Sequence, residues 1–163
     1  MIRMWIDACR PKTLVAAFVP VVMGGLVFWI YGDKLHQGLQ KDYLFTFLSC
    51  LGFALSAQIL SNFSNDLGDS LRGADNQNRV GPRRAVANGL ISTRAMKIAI
   101  IIVIAVACFA GWNLGIRHPV LFMPATLALI LAMAYTLGPL PLAYHGLGDV
   151  FVVACFGLQA TVL

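Results

Sequence analysis

Long apolar runs alternate with polar connections along this chain, and their lengths carry the first message. Residues 14–31, 43–63, 98–115 and 120–137 are each an apolar stretch of membrane-spanning length. At about 1.5 Å of rise per residue, an 18-residue helix covers roughly 27 Å, close to the hydrocarbon thickness of a bilayer. The pattern predicts an all-α, polytopic transmembrane helical bundle with four full spans. A fifth apolar run, residues 150–163, reaches the last residue about a turn short of a full span. One domain is expected over residues 1–163, truncated at its C-terminal side.

Composition agrees with the pattern. The 163 residues are 59% hydrophobic and 12% charged, against about half apolar and a quarter charged in soluble domains. A net charge of +5 raises nucleic acid as a partner, but the basic residues sit between the spans, where topology accounts for them. Arg3, Arg10 and Lys12 precede the first span, and six more basic residues separate the second from the third. The opposite connections hold only Lys34, Lys41 and Arg117. The positive-inside rule then puts the N-terminus and the second connection in the cytoplasm of a multi-pass cell-membrane protein. Trp29, Tyr31, Tyr43 and Trp112 fall near the opposite ends of the first three spans, as interfacial aromatics do. The first span is too long for a secretory h-region and lacks a small-x-small site after it, so it reads as a retained helix. Cys9, Cys50, Cys108 and Cys155 form no C-x-x-C pair and read as small buried hydrophobes.

Polar residues interrupt this plan at one place. The second span ends through Gln58, Ser61 and Asn62 into Asn65, Asp66 and Asp69. On a helix Asn62, Asn65 and Asp69 each lie within roughly 40° of Gln58, with Asp66 beside them. Ionisable groups at that depth are costly and usually face a cavity, an ion or a partner charge. Asp66 and Asp69, with Asp75 further on, suit a hard divalent cation; the competing account is a solvated helix end. Arg79, Arg83 and Arg84 suit diphosphate oxygens, or equally serve topology and anionic lipid. The long connection 66–97 is expected to continue the second helix to about Arg72, stop at Gly73, turn at Gly81-Pro82 and restart at a Ser92 or Thr93 cap. Pro11 suits a helix start, and Gly111 with Gly115 suits close helix packing. His145 and Asp149, on the same predicted side, are weaker candidates for the site.

These residues resemble the UbiA superfamily of intramembrane aromatic prenyltransferases. Asn65-Asp66-Leu67-Gly68-Asp69 with Asp75 is similar to its first Asp-rich motif. Three more strings carry the likeness: Arg10-Pro11-Lys12-Thr13-Leu14; Arg79 through Val86; and Tyr135-Thr136 with the Gly-Pro and Gly-Leu-Gly-Asp segments that follow. Through these strings the likeness is to the branch that prenylates 1,4-dihydroxy-2-naphthoate in menaquinone synthesis, and prolines and leucines where a lysine often follows the tyrosine elsewhere in the superfamily fit that branch.

The resemblance implies about nine helices around a cavity open to lipid, with two Asp-rich motifs holding Mg²⁺ and a polyprenyl diphosphate on the cytoplasmic side. It implies catalytic roles for Asn65, Asp66 and Asp69, metal ligation by Asp66, Asp69 and Asp75, and diphosphate contacts from Asn62, Arg79, Arg83 and Arg84. The implied reaction moves a polyprenyl group to the naphthoate with loss of diphosphate and CO₂, giving demethylmenaquinone. Its partners are the two substrates and the lipid bilayer. No second Asp-rich motif is found, so the chain is expected to be the N-terminal half of such a fold. Another aromatic acceptor, an inactive fragment or a small ion-binding membrane protein are the alternatives.

Overall fold

The computed structural model describes residues 1–35, 42–73, 84–137 and 143. Five α-helices follow one another: α1 (Ile2–Cys9), α2 (Pro11–Leu35), α3 (Tyr43–Leu71), α4 (Thr93–Arg117) and, after a 3₁₀ turn at Pro119–Leu121, α5 (Phe122–Ala134). There is no strand among the described residues. The chain is therefore the all-α membrane bundle that its apolar runs predict, with α2, α3 and α4 each long and apolar enough to cross a bilayer.

Local chemistry sets several boundaries. Pro11 opens α2, where its missing N–H costs nothing. Ser92 caps α4, its hydroxyl accepting the Ala95 N–H at 3.2 Å. Gly73 follows the end of α3 with φ +64°, the left-handed conformation that spares glycine a Cβ clash. The fourth run is shorter than expected: Pro119 opens a 3₁₀ turn that leads directly into α5, and the apolar helix they form, Pro119–Ala134, stops short of residue 137. The run 150–163 lies outside the described residues.

One element has no counterpart in the sequence reading. α1 precedes the first span and turns its Met4, Trp5, Ala8 and Cys9 side against the core. Trp5 meets Phe63 of α3 edge-on, with ring centroids 5.8 Å apart.

α3 is the axis of the assembly, with α1, α2, α4 and α5 all packed against it. Leu60, Phe63 and Leu67 of α3 meet Met96, Ile100 and Ala107 of α4 and Leu129 of α5 in the core. Gly111 faces the Phe53 ring and Gly115 the Phe122 ring, so both small residues admit an aromatic from a neighbouring helix. Outward, Val15, Phe18 and Val19 of α2 and Ile101, Ile102 and Phe109 of α4 are exposed. Water would not tolerate so broad an apolar surface, whereas lipid matches it. With 29 residues, α3 is about 43 Å long at the helical rise, well beyond the hydrocarbon thickness. Its surplus turns bear the acid and amide residues.

Candidate functional site at the C-terminal end of α3

Charged side chains at a helix end are ordinarily solvated, and burial decides whether these are. Asp66 is 3% exposed, Asp69 8% and Asn62 3%. They face inward, against the bland account of a solvated helix end.

Each is tied to a different part of the chain. Asn62 donates through Nδ2 to the Cys9 carbonyl and to Thr13 Oγ1, both at 2.9 Å. Its two amide hydrogens are thus spent on the joint between α1 and α2. That leaves Asn62 no donor for a diphosphate oxygen, and the contact expected of it is corrected to a structural one. The joint needs holding. Arg10 stands at φ 52°, ψ 71°, a left-handed conformation costing a non-glycine residue about 1–3 kcal/mol. Its carbonyl accepts from the Thr13 N–H at 2.9 Å and the Thr13 hydroxyl at 3.0 Å, which stabilises the bend.

Asp66 spans a turn of backbone. Its Oδ2 accepts the Ala85 N–H at 2.8 Å and its Oδ1 the Val86 N–H at 3.1 Å. The turn is closed on itself by Leu90 and Ile91, whose N–H groups both reach the Ala85 carbonyl at 2.9 and 3.1 Å. One turn along α3, Asp69 forms a buried ion pair with Arg84. Removing two such charges from water costs several kcal/mol per ion, which their attraction and further hydrogen bonds must repay.

Asn65, on the same helical face as Asp69, reaches the residues just past α5. Its Oδ1 accepts the Thr136 hydroxyl at 2.9 Å, and the Arg72 guanidinium donates to the Thr136 carbonyl. Gly68 lies between them against the Thr136 backbone: a Cβ there would stand 2.7 Å from the Thr136 carbonyl oxygen. α3 and α5 meet at van der Waals contact.

Asp75, Arg79 and Arg83, and the weaker candidates His145 and Asp149, lie outside the described residues. Among the described residues, no group of three His, Cys, Asp or Glu side chains is assembled for a metal. Asp66 and Asp69 nonetheless fit a hard cation in kind. They are two carboxylates one helical turn apart, and carboxylate oxygens are the ligands such cations take. Cys9 is half-buried, and burial pushes its thiol above the usual range, away from a reactive thiolate. Sequence reasoning gave Thr136 no role of its own and missed α1. The hydroxyl gave no local signal, and eight residues are too few for a firm helical period.

These contacts join the end of a membrane helix, an acid pair and an arginine-bearing turn. Residues 17–163 match the model of the UbiA prenyltransferase family, and the chain belongs to that family. It is 36% identical over 160 residues to the 1,4-dihydroxy-2-naphthoate octaprenyltransferase of Escherichia coli K12, covering 94% of this chain and 49% of that protein. The Haemophilus influenzae protein of the same name is 34% identical over 96% of this chain and 51% of its own length. The one from Bacillus subtilis is 30% identical over 91% and 45%. The chain thus spans about half the length of the curated relatives it matches. No solved structure matches it.

Proposed function

We propose that this chain supplies the diphosphate-binding corner of a membrane enzyme that transfers a polyprenyl group from polyprenyl diphosphate to 1,4-dihydroxy-2-naphthoate. The relatives' names support the acceptor. The burial of Asp66 and Asp69 together, beside the equally buried Arg84, is the observation that carries the site.

Asp66, Asp69 and Asp75 would hold Mg²⁺, which when bound supplies positive charge to the departing diphosphate. Arg79, Arg83 and Arg84 add guanidinium donors to the same oxygens. In the reaction the C1–O bond of the prenyl diphosphate breaks and its electron pair leaves with the diphosphate. The ring carbon bearing the carboxylate bonds to C1. CO₂ then departs, and the pair from its bond restores the aromatic ring, so the product leaves as the quinol of demethylmenaquinone. The lipid-facing apolar helices accommodate the polyprenyl tail and keep water from the allylic cation. By the charge bias of its connections, the corner faces the cytoplasm, with the N-terminus on the same side.

The test is carried out on the protein expressed in membranes from its complete reading frame. Radiolabelled polyprenyl diphosphate is offered with the naphthoate, hydroxybenzoate or homogentisate. The naphthoate is expected to be prenylated, and Asp66→Asn plus Asp69→Asn is expected to lower the rate by a factor on the order of 100 or more. Wild-type rates in the double variant would refute the acid-pair mechanism. Prenylation of a different acceptor would move the chain to another branch of the family, and cation flux in liposomes without prenyl diphosphate would favour an ion-binding protein.

A further inference from the structure

The C-terminal end of a helix is the wrong end for an anion. Its exposed carbonyls carry the negative pole of the helix dipole, and at α3 the Asp66 and Asp69 carboxylates add to it. A diphosphate brought to this corner therefore depends on every hydrogen-bond donor within reach. Asn65, beside Asp66 and half-buried, is a neutral side chain of the group whose amide hydrogens make no hydrogen bond among the described residues.

Which end of its carboxamide faces the corner is decided by Thr136. That threonine is 2% exposed, so its hydroxyl hydrogen must find an acceptor inside the protein, and Asn65 Oδ1 supplies one at 2.9 Å. Rotating the amide by 180° would point Nδ2 at the hydroxyl and strand the buried hydroxyl hydrogen, the costly outcome for a buried donor. Thr136 itself cannot shift to accommodate. Its carbonyl is held by Arg72, and its backbone lies against Gly68 with no space for a further methyl group. With Oδ1 committed to the hydroxyl, Asn65 Nδ2 makes no hydrogen bond among the described residues and is the end left for a ligand.

We propose that Thr136 is a positioning residue that fixes the Asn65 carboxamide amino-end outward, making Asn65 a hydrogen-bond donor to a diphosphate oxygen. The identity of the ligand rests on the prenyl-transfer reading; the orientation rests on the Thr136 contacts. Asn65 thereby differs in role from its acidic neighbours, since a metal would want its oxygen and a phosphate wants its N–H. The two roles respond oppositely to Asn65→Asp.

Binding of inorganic pyrophosphate to the complete protein in nanodiscs, measured by calorimetry with and without Mg²⁺, separates them. Asn65→Asp is expected to weaken binding by roughly 10- to 100-fold in both conditions, the scale of a hydrogen bond to a charged group replaced by repulsion. Thr136→Val, which keeps the shape against Gly68 and loses the hydroxyl, is expected to weaken it by about 3- to 10-fold, and Thr136→Ser to restore it to within about 2-fold. With polyprenyl diphosphate as substrate, Thr136→Val raises KM more than it lowers kcat. Binding by Asn65→Asp that equals or exceeds wild type with Mg²⁺ would overturn the proposal in favour of oxygen ligation. Equal affinities for Thr136→Val and wild type, or a Thr136→Ser variant no better than Thr136→Val, would overturn it as well. Wild-type protein that fails to bind pyrophosphate at all would bring down the prenyl-transfer reading and this proposal together.

Discussion

The two ends of α3 are built on different principles. At its N-terminal end Tyr43 stacks on Phe28 with centroids 5.3 Å apart and donates its hydroxyl to the Gly25 carbonyl at 2.8 Å. Nearby, Asp42 pairs with Arg117 at 2.7 Å, and Arg117 lies over the Phe45 ring at 4.7 Å. Leu44 and Leu48 remain exposed, as residues facing lipid do. At its C-terminal end Asn62, Asp66 and Asp69 are buried, and with Asn65 they reach α1, α2, the 84–91 turn and the residues just past α5. The first end joins neighbouring helices through aromatic surface and exposed charge. The second gathers most of the described chain around one polar corner, and distant contacts of that kind are what a site requires.

This contrast predicts unequal sensitivity. The largest loss is expected for Asp69→Ala, which leaves the buried Arg84 without its carboxylate and costs about 3–5 kcal/mol. Adding Arg84→Met should return most of that stability while leaving pyrophosphate binding impaired, as read by thermal unfolding in detergent alongside calorimetry. If Asp69→Ala unfolds like wild type, the C-terminal end is no more tightly built than the other. Gly68→Ala comes next, at about 1–3 kcal/mol, because the new methyl group meets backbone at Thr136 and not a side chain that can swing away. A cysteine cross-link between α3 and α5 should form more slowly in that variant. The smallest effect belongs to the opposite end: Asp42→Asn should change stability by no more than about 1 kcal/mol, and less in high salt, since its partner is partly exposed.

The features legible from sequence were the local ones. Pro11, Gly73 and Ser92 act on their own few residues, so their positions forecast where helices start and stop. The run of Asn62, Asn65, Asp66 and Asp69 was legible as one face because the helical period holds over two turns. The partners of those residues were not. Arg84 meets Asp69 across 15 residues and Thr136 meets Asn65 across 71, distances at which no periodicity speaks. Asn62 shows the cost of this blindness: an amide on the polar face looks like a ligand until Cys9 and Thr13 are seen to occupy it. The fourth run misled for the opposite reason. Its hydropathy continues to Leu137, but the helix ends at Ala134 and the last three residues turn.

The strap from Asp66 to Ala85 and Val86 reaches only 19 and 20 residues ahead. Closing so short a loop carries little entropic penalty, which grows only with the logarithm of length. Synthesis proceeds at roughly 5–20 residues per second, so both partners exist within a few seconds of the aspartate. The Asp66 strap can therefore close before Thr136, 71 residues beyond Asn65, has been made, giving the end of α5 a platform to pack against.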